Sequence, residues 1–348
     1  MDKKGSQHAL LMCTVVHKQS LELTKLTNYM ADKKLDDMRH QMNNTLYICG
    51  GFTHITSESK EVYSYNTVTE SWAVLTVLQQ PCQLSEKVAL RIGSCIYVSG
   101  RGPYLHMYNI ETGVWDNCSP SLVGISVQRF RYRIAALDGK IYMTGGRKYT
   151  ESSTILDTCE AYNTRTKVFE TLPPMSTKRA HHTMVSMKGK LYVFGGTIAD
   201  RNAKSCLSSC ECYDPTENKW KSIASLPKGR FEARACVLAD NAIALMGGFS
   251  QKKTDKTQFV MTKFVNIYNP ITDSWSYAPW KLCSPRHEFS VFFTRGRVYV
   301  CGGLATSGPG DFMNSNQSID PTNYESGWKV HPSMPVGLAN CAFATPST

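Results

Sequence analysis

The chain has 348 residues, 42% hydrophobic and 19% charged, and its 39 Lys and Arg against 28 Asp and Glu give a formal net charge of +11. That is a globular composition whose positive excess favours acidic partners, and its spread along the chain, without basic tracts, argues against nucleic acid. No apolar run is long enough to predict a membrane-spanning helix, and 13 Cys, many inside strand-like runs, fit a reducing compartment better than a disulfide framework.

Residues 1–43 stand outside any repeat. Within them 20–39 carry Leu21, Leu23, Leu26, Tyr29 and Met30 as a partial helical face, which predicts a short helix or ordered linker too small to be a domain. From Asn44 onward a short apolar run ending in two glycines recurs: TLYICGG, KIYMTGG, KLYVFGG, AIALMGG and RVYVCGG. Their glycine pairs are Gly50-Gly51, Gly145-Gly146, Gly195-Gly196, Gly247-Gly248 and Gly302-Gly303, with the eroded CIYVSGR at Cys95–Arg101 in the remaining slot. The spacing lies in the range of propeller blades, so residues 44–348 are expected to form one closed body.

Each unit carries a second mark, a Tyr followed by Asn or Asp and then, seven residues after the Tyr, by an aromatic. The pairs are Tyr65 and Trp72, Tyr108 and Trp115, Tyr162 and Phe169, Tyr213 and Trp220, and Tyr268 and Trp275; the sixth unit is looser and ends in Trp328. In the clearest unit the strands are expected at 180–187, 190–194, 206–213 and 220–224, with Lys188-Gly189 as a hairpin turn. A four-stranded sheet this short has two faces and no helix to cover them, and stacking such sheets around an axis buries both. The glycines then stand where strands converge, and Trp72, Trp115, Trp220, Trp275 and Trp328 are expected as scaffold plugs between sheets. Unit one lacks a first strand, and residues 338–344 resemble the missing piece, which predicts that the C-terminal strand completes the first blade.

These marks resemble the kelch repeat, and six repeats resemble the propeller of BTB-kelch proteins, here without a BTB domain. Residues 1–43 then read as an extension or a remnant of the helical BACK region. The resemblance implies an all-β, six-bladed propeller of four-stranded antiparallel blades, acting as the substrate-recognition module of a cullin-type ubiquitin ligase adaptor. Its partners would be a protein offering an acidic or phosphorylated segment, and a BTB-containing or cullin component. The alternatives are a cytoskeletal, actin-associated kelch protein, or a decoy that occupies a kelch partner without ligase coupling. A cytoplasmic location follows, at the cytoskeleton in the second reading, with the nucleus left open.

In that family the loop entering each first strand often presents an arginine at one mouth of the ring. Arg129, Arg179 and Arg286 each stand 16 residues before the first glycine of their unit, and Arg230 stands 17 before. Four guanidinium groups at one mouth would bind carboxylate or phosphate bidentately. Tyr149, Phe249 and Phe312, in the loops after the glycines, are the expected aromatic anchors.

Chemistry-bearing motifs do not stand out. His181 and His182 are adjacent in a strand and should point to opposite faces, Cys206, Cys210 and Cys212 match no zinc spacing, and no G-x-S-x-G, H-E-x-x-H or phosphate loop occurs. The expectation is therefore a protein that is not an enzyme, with no metal and no cofactor.

Overall fold

The computed structural model describes residues 41–54, 57–78, 83–101, 105–117, 129–148, 154–198, 206–252, 254–255, 258–305, 311–339 and 342–344, together with Lys25, Thr27, Tyr29, Met30, Lys33, Asp36 and Asp37. Two compact units are present, Met1–Thr45 and Leu46–Thr348. In the first, the described residues between 25 and 43 are helical.

The second unit is a six-bladed β-propeller. Its six four-stranded antiparallel sheets run in the order first, second, third, fourth strand, and neighbouring first strands contact one another around the inside of the ring. Blade three is Arg133–Leu137, Lys140–Thr144, Cys159–Asn163 and Val168–Leu172; blade four is Thr183–Met187, Lys190–Phe194, Cys210–Asp214 and Lys219–Ile223. Blade five begins at Arg234–Val237 and blade six at Ser290–Thr294. Two small ribbons are added, Arg129–Phe130 with Arg147–Lys148 and Phe249–Gln251 with Phe259–Met261. Beyond residue 44 the helical structure among the described residues is the single 3-10 turn Tyr324–Ser326.

The ring closes as its repeats require. Ala342–Ala344 pairs antiparallel with Thr45–His54, Tyr47 opposite Ala344 and Cys49 opposite Ala342, and so supplies the first strand of blade one. Six apolar clusters make up the core, and each is shared by two adjacent blades; the one containing Leu46, Ile48 and Tyr65 also contains Phe292 and Tyr299 of blade six. Burying both faces of every sheet is what replaces a helix layer here.

The repeated sequence marks have separate physical origins. The Asn or Asp after the Tyr, and Asp320 after Ile319 in blade six, accepts the backbone N–H two residues on, at 2.8–3.0 Å in all six blades, which shapes the turn before the fourth strand. In blade three that bond, from Arg165, is the longest at 3.0 Å. The hairpins Asp138-Gly139, Lys188-Gly189 and Arg295-Gly296 have positive φ at both residues, the turn that follows the strand twist.

The tryptophans differ from expectation. Trp72, Trp115, Trp220, Trp275 and Trp328 are only half-buried, whereas Tyr65, Tyr162, Tyr213 and Tyr268 are sealed and fill the space between sheets. Each indole instead reaches the blade before it through its N–H: Trp72 to the Pro332 carbonyl, Trp115 to Thr76 Oγ1, Trp220 to Pro173, Trp275 to Ala224 and Trp328 to Lys281, at 2.8–3.0 Å. Blade three carries Phe169 at this place and has no donor to offer.

Candidate functional site

The four arginines selected from the sequence are 3%, 0%, 4% and 1% exposed in the order Arg129, Arg179, Arg230 and Arg286. Arg179 shows what they do. Its backbone carbonyl accepts the N–H of Gly146 from blade three, while its guanidinium donates to the Gly195 and Ser209 carbonyls and to Glu211 Oε1 in its own blade. One residue thus ties the glycine pairs of two blades together, which is why the arginine and the glycines keep a fixed offset. Arg129 repeats this with Gly145, Thr158 and Glu160, and Arg286 with Gly302 and Ser315. Arg230 bonds Phe264 and Asn266; with no acid beside it, burial lowers it to about 10. With almost no surface to present, these side chains close blades.

Of the expected aromatic anchors, Phe249 is buried and folded back, its ring stacked 5.2 Å from Phe231 and tilted against His287 at 4.6 Å. Phe312 is half-buried and bridges Leu304. Tyr149 lies outside the described residues.

Two positions after each arginine the chain makes a different statement. Arg131, His181, Glu232 and Glu288 all hold left-handed backbone, with φ of 59°, 54°, 54° and 53°. This kink is also why the first strand of blade four begins at Thr183 and not at Ala180, which bridges Thr197 instead. Non-glycine residues pay strain for that conformation and keep it where their surroundings enforce it. Here the enforcement runs from blade to blade, the His181 N–H donating to the Arg131 carbonyl at 3.1 Å and the Glu232 N–H to the His181 carbonyl at 2.9 Å.

The side chains follow the same path. The Arg131 guanidinium contacts His181 Nε2, His181 Nδ1 stands 2.8 Å from Glu232 Oε1, and His287 Nδ1 stands 2.9 Å from Glu232 Oε2. An imidazole that accepts from an arginine at Nε2 and donates from Nδ1 is neutral, and burial, reinforced by Arg131 and Arg133, lowers His181 below its ordinary range. Burial alone would raise the Glu232 carboxyl, but the two histidines outweigh it and hold it well below the usual carboxylate range. Glu288 goes the other way: burial pushes it up and the Glu232 charge adds to the rise. Two neighbouring carboxyls are therefore driven apart, the pattern by which acid and base roles are separated in reactive sites.

Ligand-type atoms of Glu232, His287 and Glu288 all lie within 4.8 Å of one another, a group that could hold a metal ion. This overturns the expectation that the chain is not an enzyme and has no place for a metal: clustered His and Glu with opposed titration are equipment for chemistry. The adjacent histidines do part as expected, His181 to Glu232 and His182 to Thr144 Oγ1 at 2.9 Å, and it is the partner from blade five that sequence spacing left out. The missed residues Arg131, Glu232 and Glu288, like His181, had one available signal, a constant offset of two from arginines already counted.

The profile of the Attractin/LZTR1 β-propeller family matches residues 3–256. The chain belongs to that family. It is also similar to kelch-type propellers: 28% identical to Kelch repeat and BTB domain-containing protein 12 of Danio rerio, over 65% of this chain and 37% of that protein. With Kelch-like protein 25 of Xenopus tropicalis it shares 25% identity over 87% of this chain and 49% of that protein. The chain thus spans about a third to a half of the length of these relatives. The solved structure titled "Structure of YjhT" shares the fold, with a TM-score of 0.64 at 16% identity over 83% of this chain and 95% of that one. The propeller is a protein-interaction module of the kelch-like kind in general, here with a cluster of ionisable side chains where the first strands of blades three to six begin. No helix among the described residues is long and apolar enough to cross a membrane.

Proposed function

We propose that the propeller captures a protein segment carrying carboxylate or phosphate groups, at the mouth where the first strands of blades three to six begin. The observation that carries this reading is the row of ionisable side chains set at one place by consecutive blades, with Arg131 and Arg133 half-exposed at its basic end. Planar guanidinium groups on a rigid rim suit bidentate contact with such anions. Arg129, Arg179, Arg230 and Arg286 support the rim from within, and Phe312 and Tyr149 remain the aromatic contacts this reading would use. The name of one relative, which pairs kelch repeats with a BTB domain, supports the further step that a captured segment is presented to a cullin-type ubiquitin ligase through a BTB-containing chain.

The test is an array of acidic and phosphorylated peptides probed with the wild-type chain and with an Arg131→Ala, Arg133→Ala variant, followed by affinity purification with both. Loss of at least tenfold in peptide affinity, and a shallower salt dependence in the variant, is the expected result. Recovery of a cullin with the wild type supports ligase coupling; co-sedimentation of actin moves the cytoskeletal reading ahead. Unchanged peptide binding in the variant removes the mouth as the site.

A further inference from the structure

We infer that Glu232, His287 and Glu288 form a site for one divalent first-row transition-metal ion where the first strands of blades five and six begin. The inference goes beyond segment capture and does not depend on it.

The geometry asks for little movement. Metal bonds of about 2.1 Å to nitrogen and oxygen set adjacent ligand atoms about 3 Å apart and opposed ones about 4.2 Å apart. His287 Nδ1 and Glu232 Oε2 are already 2.9 Å apart, and the whole group lies within 4.8 Å. Rotation of the Glu288 side chain, which is only half-buried, supplies the remaining half ångström or so. On binding, the ion takes the place of the proton between His287 Nδ1 and Glu232 Oε2, and the imidazole, which ligates as the neutral form, carries its single proton on Nε2.

A preformed outer layer makes this more than a chance meeting of side chains. Glu232 Oε1 stays with His181 Nδ1, and His181 is held in turn by Arg131, so the carboxylate keeps its orientation whether or not the second oxygen is ligating. Metal-bound carboxylates and histidines characteristically have such a fixed outer partner. One imidazole and two carboxylates favour zinc, manganese, iron or cobalt over calcium, whose sites are built from oxygen alone. Arg131 and Arg234 also bear on Glu288, so the ion competes with their field and is expected to exchange readily. Three protein ligands leave coordination positions to water.

The probe is Co²⁺ added to the chelator-stripped full chain, read by visible absorption and calorimetry, with Zn²⁺ as competitor. One ion per chain with weak visible bands is expected, together with at least a tenfold loss of affinity in Glu288→Gln, whose metal-free melting temperature should match the wild type. Because that variant could fail to fold, Mn²⁺ bound to the wild-type chain is examined in parallel for imidazole-nitrogen hyperfine coupling, which a site containing His287 must show. Absence of stoichiometric binding overturns the inference. So do intense near-ultraviolet sulfur-to-metal bands, which would place the ion on cysteine, binding that survives in a folded Glu288→Gln chain, or bound Mn²⁺ without nitrogen coupling.

Discussion

Arg179 and Glu211 meet at 2.6 Å with their side chains 0% and 2% exposed, a guanidinium and a carboxylate sealed inside blade four. The same carboxylate accepts the N–H groups of Ser176 and Thr177, at 2.7 and 3.2 Å, from the loop that leads out of blade three. An ion pair in such a place is held by its surroundings, and those surroundings are the joint between two blades.

Arg179→Ala should therefore act on stability. Removing one partner of a buried pair leaves the other charge uncompensated, at a cost of about 3–5 kcal/mol. Urea denaturation is the measurement, and Glu211→Ala should fall in the same range, with the double variant costing less than the sum of the two because the pair acts as a unit. Additive losses would mean that the two side chains stabilise the blade independently.

The glycines of blade four separate two demands that look alike in sequence. At Gly189, φ is +72° and an added Cβ meets nothing within 4 Å, so Gly189→Ala should cost only the left-handed penalty, about 1–2 kcal/mol. At Gly195, φ is +59° and an added Cβ would lie 2.2 Å from the Arg230 carbonyl oxygen, the acceptor of the Gly196 N–H. Gly195→Ala should cost about 2–5 kcal/mol, since displacement of packed backbone is added to the same penalty. Equal destabilisation of the two variants would show that the close approach to blade five carries no weight.

His182 gives the fold a pH dependence with a defined direction. Burial, reinforced by Arg133, Arg179 and His181, holds it well below its ordinary range, and its Nδ1 has no hydrogen-bond partner. The unfolded chain takes up a proton near pH 6.5 that the folded chain refuses, so stability is full above that pH and is lost as pH falls through it. For one such histidine the loss from pH 7 to pH 5.5 is about 1.3 kcal/mol. His182→Gln should flatten the urea midpoint against pH by that amount, and a slope unchanged by the substitution would assign the acid sensitivity elsewhere.

The architecture was legible because its signals repeat: a glycine pair, a Tyr and an Asx turn recur in strand after strand, and periodicity in a closed ring leaves few alternatives. What each repeated residue does was less legible. An arginine at a fixed offset reads the same whether it faces the channel or threads back through its own blade, and only the Gly195 carbonyl and Glu211, brought near by strand pairing, decide for the latter. The indoles do pack against the clusters between blades, but their degree of burial was illegible for a similar reason, since a half-buried ring whose N–H reaches the Pro173 carbonyl of the previous blade has the same spacing as a buried plug. Arg131, His181, Glu232 and Glu288 belong to four blades and span three residue types, so what unites them is a backbone conformation and a place in the ring.

The seam between the last blade and the first should be the place where the ring opens. Three kinds of contact hold it: the pairing of Ala342–Ala344 with Thr45–His54 and of Ala339 with Phe52, the apolar cluster that joins Leu46 and Tyr65 to Phe292 and Leu338, and the polar links of Trp72 with Pro332 and of Arg295 with the Thr67 carbonyl. Removal of residues 338–348 deletes the strand and the Leu338 side chain together and leaves the edge of Thr45–His54 unpaired, an exposed template for association. That truncation should abolish a single cooperative melting transition and produce aggregation. Trp72→Phe removes only the indole N–H bond and should cost about 1 kcal/mol, with the transition still cooperative. If the truncated chain melts as one sharp transition near the wild-type temperature, closure by the C-terminal strand is dispensable and the six apolar interfaces hold the ring without it.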